Sequence, residues 1–174
     1  MKILKNTLAS LLILTTLSTA GTFEQNGVKE GNNRVSGSAT LNFLDSGNKK
    51  LLFIGQFGHF LTNNIEITTT LMTNTISDDT NSSLGTYTDY LIGVGANYYF
   101  AKTPTLTPYI GSQYYYGNST RDGDFTANRA NIHIGAHQFL SENFAITPEA
   151  GSSFYDFKDY YQSYLNVYLT YFFD

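Results

Sequence analysis

Polar and apolar residues alternate along most of the chain from residue 33 onward, and polar turn sequences separate the alternating segments. This period of two predicts β-strands whose two faces meet different surroundings. The pattern predicts eight strands with approximate bounds 33–44, 50–60, 65–74, 87–100, 107–117, 125–139, 144–155 and 160–173. We therefore expect an all-β domain of eight consecutive antiparallel strands over residues 33–174.

Charged residues within these predicted strands all fall on the polar face, which otherwise carries Ser, Thr, Asn and Gly: they are Arg34, Glu66, Asp89, Arg129 and Glu149. The lysines are instead predicted in the termini and turns: they are Lys2, Lys5, Lys29, Lys49, Lys50, Lys102 and Lys158. A sheet that faces water uses lysine freely, whereas a face that meets lipid does not. The pattern favours an up-and-down transmembrane β-barrel with its charges in the lumen.

Two predicted strands depart from clean alternation. Leu52, Ile54 and Phe60 share one face of the second strand, which we assign as the outward face although the alternation of this strand is weak. Pro148 lies inside the seventh strand, where a missing N–H predicts a bulge or a lost ladder bond.

A soluble lipocalin-like barrel has the same period with the apolar face inside, and the aromatic residues argue against it. One predicted belt contains Phe60, Tyr98, Tyr99, Phe100, Phe139, Phe144, Tyr171 and Phe173, and the other Tyr87, Tyr90, Phe125, Phe154, Tyr155, Tyr160 and Tyr161. Two aromatic belts are typical of a barrel that crosses both interfaces of a bilayer. The connections also alternate between short turns and longer polar loops, at 75–86, 118–124 and 155–160.

Residues 1–20 have the composition of a cleavable secretory signal peptide, with Lys2 and Lys5 before a short apolar run and small residues at Ser18 to Ala20. Residues 21–32 are polar and aperiodic, and we expect a flexible lead-in. Without Lys2 and Lys5, eight of the ten basic residues remain against 14 acidic ones. This acidic balance excludes a typical nucleic-acid-binding protein.

The chain resembles the small eight-stranded outer-membrane barrels of Gram-negative bacteria, the group that includes the outer membrane protein A transmembrane domain. The turns at Phe60 to Asn64 and Phe139 to Asn143, Pro108 to Gly111, and the aromatic strand Tyr164 to Phe173 carry this resemblance. It implies insertion by the outer-membrane assembly machinery, location in the cell outer membrane, and contact with lipopolysaccharide.

Antiparallel pairing across the turn at 140–143 places Glu149 opposite His133 or Gly135, with Arg129 further along the same face. Together with Glu66 and Arg34, these residues form the predicted polar cluster of the lumen. One interpretation is a gate or a proton-sensitive plug, and the other is a structural ion-pair network in a filled barrel.

No catalytic, cofactor or metal site is predicted. His133 and His137 would be roughly 13 Å apart on one strand, too far to share an ion. None of the histidines begins the His-x-Ser pair of lipid A deacylases, which have a similar barrel shape.

We expect a structural or surface-interaction protein whose loops contact surface ligands. A narrow pore for ions or small solutes is the alternative, and a lipid-modifying enzyme is a weaker one.

Overall fold

The computed structural model describes residues 27–43, 49–77, 86–119, 125–155 and 161–174. Their strands form one closed antiparallel barrel, in which each strand pairs with its neighbours in sequence and β8 pairs with β1. The strands are β1 (Asn33–Phe43), β2 (Lys49–Phe60), β3 (Ile65–Ser77), β4 (Thr86–Tyr99), β5 (Leu106–Ser119), β6 (Phe125–Phe139), β7 (Phe144–Tyr155) and β8 (Tyr161–Phe173). The predicted fold class is confirmed.

The predicted facing is correct for most of the barrel. Ile132 on β6 and Val94 on β4 point outward and are 56% and 60% exposed, whereas Asn131 and Asn97 on the same two strands are buried in the lumen. Leucine, isoleucine and valine side chains therefore cover the outer surface, as they must if it meets acyl chains. Among the described residues, no helix is both long enough and apolar enough to cross a membrane.

We call the barrel end that carries the start of β1 and the end of β8 the terminal end, and the opposite end the loop end. The related turns after Phe60 and Phe139 both lie at the terminal end. Leu61 N–H donates to the Ile65 carbonyl at 2.9 Å, and Leu140 N–H donates to the Phe144 carbonyl at 2.8 Å. The similar sequences Phe60-Leu61-Thr62-Asn63-Asn64 and Phe139-Leu140-Ser141-Glu142-Asn143 thus build the same turn twice.

The barrel corrects two expectations about which side chains face the lumen. In β2 the face with Ile54 and Phe60 points into the lumen, and Phe53 and Phe57 point outward. Three residues expected in an aromatic belt are fully buried inside the barrel: Phe60, Tyr99 and Phe139. Each of the three lies an even number of residues from a lumen-facing residue of its own strand, and it therefore points to the same side. Position at a strand end does not decide which side of the barrel wall a side chain occupies.

The two lysines expected in the first turn belong instead to β2. Lys49 and Lys50 pair with Phe43 and Asn42, so this hairpin continues beyond the apolar part of the barrel at the loop end. Lys49 lies at the loop-end tip of the outward row that contains Leu51 and Phe53 and is exposed, whereas Lys50 has the opposite parity.

Pro148 interrupts the ladder between β6 and β7 without a bulge. Pairing runs to Gly135 opposite Glu149 and resumes at Gln138 opposite Ile146, in the same register. A bulge or a lost ladder bond was expected at this proline, and the structure shows the lost ladder bond.

Residues 27–32, expected to belong to a flexible lead-in, pack against the terminal end of the barrel. Val28 joins the buried aromatic cluster there, and Gly31, with a φ of 86°, donates its N–H to the Phe60 carbonyl at 2.9 Å. A positive φ suits glycine because a Cβ is disfavoured there. The Lys102 ammonium donates to the Val28 carbonyl at 3.0 Å, and partial burial lowers the pKa of Lys102.

The seam between β1 and β8 is the shortest ladder of the barrel. Five residue pairs join the two strands, from Asn33 opposite Phe173 to Gly37 opposite Leu169. Beyond Gly37, β1 continues to Phe43 in full pairing with β2, and β8 pairs with β7 from Tyr161 onward. The described parts of β1 and β8 therefore have no ladder between them in the loop-end half.

The predicted signal peptide at 1–20 and residues 21–26 lie outside the described residues. So do most positions of the predicted loops, at 78–85, 120–124 and 156–160, and the turn at 44–48.

Candidate functional site in the barrel lumen

A buried ion pair forms the first centre of the lumen. Arg34 on β1 donates from Nε to the Glu66 carboxylate on β3, and both side chains are fully enclosed. The other carboxylate oxygen of Glu66 accepts from Asn97 Nδ2 at 2.8 Å and from the Tyr99 hydroxyl at 2.7 Å. A buried charge pair is tolerated only when its remaining hydrogen-bonding groups are also satisfied, and these donors meet that requirement.

A closed ring of hydrogen bonds continues from this ion pair around the barrel wall. The Tyr99 oxygen lies 3.0 Å from His137 Nε2, and His137 Nδ1 lies 2.8 Å from the Thr147 hydroxyl. The Thr147 hydroxyl contacts Thr170 at 2.8 Å, and Thr170 contacts Ser36 at 2.9 Å.

Arg34 closes the ring by donating from its guanidinium to Ser36 Oγ at 2.6 Å. If His137 carries its proton on Nε2 and accepts at Nδ1, each hydroxyl of the ring can accept one hydrogen bond and donate the next, from Arg34 round to Glu66. The ring links six of the eight strands, β1, β3, β4, β6, β7 and β8, and it stabilises the barrel at this level.

Glu149 on β7 forms the second centre, and its charge is stabilised chiefly by tyrosine hydroxyls. Tyr109 donates to one carboxylate oxygen at 2.9 Å, and Tyr164 donates to the other at 3.2 Å. Tyr168 lies 3.4 Å from the same oxygen as Tyr164. His133 Nε2 lies 3.8 Å from Glu149, so any ion pair between them is long.

Asn97 joins the two centres. Its Oδ1 lies 2.8 Å from His133 Nε2 while its Nδ2 donates to Glu66. His133 Nδ1 is buried and has no hydrogen-bond partner within the described structure. The two carboxylates are therefore connected through Asn97 and His133, with a 3.8 Å contact between His133 and Glu149 as the last step.

Arg129 lies nearer the loop end, two inward positions beyond His133 on β6. Its Nε donates to Asn131 Oδ1 at 2.9 Å, and its guanidinium carbon lies 5.2 Å from the centre of the Tyr115 ring. Such a stack over an aromatic face is a favourable place for an arginine in a partly desolvated lumen.

An aromatic layer closes the lumen on the terminal side of these centres. Its members are Val28, Phe60, Tyr99, Tyr109, Phe139, Ala145 and Phe172. The rings of Phe139 and Phe172 stack with centroids 5.1 Å apart, and His137 contacts Tyr109 and Phe172 at the same separation. We call this layer the aromatic plug.

The five lumen residues predicted from the sequence thus fall into three groups. Arg34 and Glu66 are in direct contact, His133 and Glu149 are neighbours, and Arg129 contacts a different set of side chains. The tyrosines that hold Glu149, together with Tyr99 and His137 as ring members, were missed. Tyr99 lies two residues after Asn97 on β4 and therefore points to the same side. This spacing is the sequence signal that would have placed Tyr99 in the lumen.

No group of three or more His, Asp or Glu side chains in the described parts of the chain is arranged to hold a metal ion. The arrangement supplies hydrogen bonds and charge pairing. The Thr147 hydroxyl beside His137 is fully buried within the ring, as is His137 itself.

The architecture defines a class of protein: an eight-stranded transmembrane β-barrel with a side-chain-filled lumen. Solved structures of natural barrels are among those similar to this chain. The N-terminal barrel domain of Pseudomonas aeruginosa OprF has a TM-score of 0.57 at 19% identity, over 83% of this chain and 98% of that one. Neisserial surface protein A has a TM-score of 0.55 at 14% identity, over 80% and 94%.

A transmembrane β-barrel designed de novo also matches, with a TM-score of 0.52 at 15% identity over 84% of this chain and 99% of that one. No protein-family model matches the sequence, and no curated protein does. At these identities the likeness establishes the fold, and it confirms the resemblance to small outer-membrane barrels at that level. Function has to be argued from the lumen and the surfaces.

Proposed function

We propose that this protein is an integral barrel of the Gram-negative outer membrane with a structural or surface-interaction role, and that it does not conduct. Export would use the signal peptide predicted at 1–20. The terminal end would face the periplasm and the loop end the cell exterior. Its partners would be lipopolysaccharide, the assembly machinery during insertion, and surface ligands of the loops.

The obstructed lumen is the observation that carries this proposal. The aromatic plug lies directly beneath the hydrogen-bonded ring, and Phe60, Phe139 and Phe172 in it are almost completely inaccessible to solvent. A permeating ion would need to displace this layer and then pass the Arg34–Glu66 pair. Eight strands enclose an interior that side chains can fill, and here they do so.

Planar-bilayer recording tests the proposal against the pore alternative. The purified protein should insert without producing stable conductance steps. A matched variant with a thinner plug, Phe60→Ala, provides a comparison for channels that open when the layer is weakened. Stable steps from the unmodified protein would refute the closed lumen.

Location is tested separately by heat-modifiability of the protein in outer-membrane fractions. A folded barrel should migrate differently on a gel before and after boiling. For the enzyme alternative, the lipid A profile of cells with and without the protein is the readout, and we expect no difference between them.

A further inference from the structure

The outer wall of the barrel carries a groove across β2, β3 and β4, in the terminal-end half. Its volume is about 420 Å³, and Phe57, His59, Ile67, Thr69 and Val94 line its sides. Thr69 lies between Phe57 and Val94 in the strand ladders, and its short side chain leaves a depression between the two larger ones. Small-molecule sites in proteins have volumes of about 300–1,000 Å³, so the groove has room for part of a ligand.

The walls of this groove are mostly apolar, and they face the surroundings of the barrel. Phe57, Ile67 and Val94 are 45%, 46% and 60% exposed. In the bilayer location proposed above, the groove meets acyl chains. A flexible hydrocarbon chain can follow such a depression and contact its walls, whereas the outer wall of a second barrel is convex and would leave the depression unfilled.

One end of the groove is polar. His59 is the last residue but one of β2 and pairs with Asn33 on β1, and both lie in the outward rows of their strands. At the same end of the barrel, the outward positions of β4 and β8 carry exposed aromatic rings, among them Tyr98 and Tyr171. His59 and Asn33 therefore interrupt an aromatic belt of the kind that marks a membrane interface.

The hydrogen bond between these two side chains fixes the chemistry that His59 offers. Its Nδ1 lies 2.9 Å from Asn33 Oδ1. Because an amide oxygen only accepts, Nδ1 must donate, and in a neutral imidazole Nε2 then carries no proton and accepts. Nε2 has no hydrogen-bond partner among the described residues. The groove therefore ends at an acceptor that suits a ligand with an N–H donor.

We propose that this groove binds a phospholipid of the periplasmic leaflet, with an acyl chain against Phe57, Ile67 and Val94 and an ammonium headgroup that donates to His59 Nε2. The headgroup must carry an N–H, as phosphatidylethanolamine does and phosphatidylcholine does not. The leaflet follows from the terminal-end position of the groove, so this inference rests on the location and orientation proposed above. It adds a lipid site to the outer wall of a barrel whose lumen is filled.

Lipid-quenching fluorescence tests this site, because the chain contains no tryptophan. The protein carries either Phe57→Trp, which keeps an aromatic ring in the groove, or Ile134→Trp on β6, an exposed position of the outer wall away from it. Each is reconstituted in phosphatidylcholine vesicles that contain a minor fraction of one brominated lipid. The brominated lipids share their acyl chains and differ in headgroup: phosphatidylethanolamine, its monomethylated and dimethylated forms, and phosphatidylcholine.

We expect the three headgroups with an N–H to quench Phe57→Trp at a concentration about two- to tenfold lower than phosphatidylcholine does, the difference that one hydrogen bond makes. The preference should be lost at the third methyl group, which removes the last N–H, and Ile134→Trp should show no preference. Adding His59→Phe, which keeps an aromatic ring, should abolish the preference at Phe57→Trp. Adding Tyr171→Phe, which removes a hydroxyl from the same belt away from the groove, should preserve it.

Equal quenching of Phe57→Trp by all four headgroups would overturn the site and leave the bilayer location standing, as would a preference that survives His59→Phe. Weak quenching of Phe57→Trp beside strong quenching of Ile134→Trp would mean that a protein surface covers the groove, and would also overturn the site. If His59→Phe fails to fold, the headgroup series with His59 in place decides alone. Absence of quenching at both tryptophans would contradict the bilayer location itself.

Discussion

Removing the Glu66 carboxylate tests the central ion pair of the lumen. In the variant Glu66→Ala, the Arg34 guanidinium keeps its buried position but loses its counter-charge. Breaking a buried pair by removing one partner costs about 3–5 kcal/mol. The Asn97 amide and the Tyr99 hydroxyl also lose an acceptor, at about 1–3 kcal/mol each if they stay dry.

These costs do not simply add, because water entering the vacated space would satisfy some of the stranded donors. We therefore expect the free energy of unfolding to fall by about 3–5 kcal/mol in all. The measurement is a urea titration of the reconstituted barrel, with the folded fraction read from its gel migration without boiling.

Two control variants show whether the loss of stability in Glu66→Ala comes from the unpaired buried charge. Asp89→Ala removes a half-buried carboxylate near the loop end that accepts from Asn74, and it should cost about 1 kcal/mol. The double variant Arg34→Leu with Glu66→Leu removes both charges and should be less destabilised than Glu66→Ala. The reasoning is wrong if Glu66→Ala costs no more than Asp89→Ala, or if the double variant is the less stable one.

The remaining predictions concern the outer face, the packing of the lumen and the N-terminal segment. Ile132→Arg on the outer face should lower stability by about 2–4 kcal/mol and reduce the folded protein in membranes, whereas Leu140→Arg in a terminal-end turn should do neither. Gly58→Ala should cost about 1–3 kcal/mol, because its methyl group would overlap the carboxylate of the central ion pair, whereas Gly37→Ala meets open space; equal urea midpoints would contradict the packing. Val28→Ser should cost about 1–2 kcal/mol in the same titration, and an unchanged midpoint would mean that this segment does not stabilise the barrel.

The local alternation of polar and apolar residues was sufficient to predict where the strands lie, how many there are, and which side chains of most strands point outward. Alternation is a short-range property, because successive side chains on a strand point to opposite faces. Ile132 and Asn131 could therefore be assigned without knowledge of any other strand. Predicted and observed strand bounds differ by three residues at most: β3, for example, ends at Ser77 instead of 74.

Where local alternation was weak, as in β2, or where position at a strand end was used in place of parity, as for Phe60 and Phe139, the expectation failed. Only closure of the barrel decides which rings meet at its centre, because those contacts join residues from strands far apart in sequence.

The lumen network likewise depends on register and curvature. Alternation could place Glu149 and Asn97 inside the barrel, but not show that three tyrosines from other strands hold the carboxylate, or that Asn97 reaches both His133 and Glu66. The amino-acid pattern on its own thus determined an eight-stranded barrel with an apolar exterior. Its polar partners, its aromatic plug and its unpaired seam follow from how the sheet closes, since closure sets the distances across the lumen and the length of the last ladder.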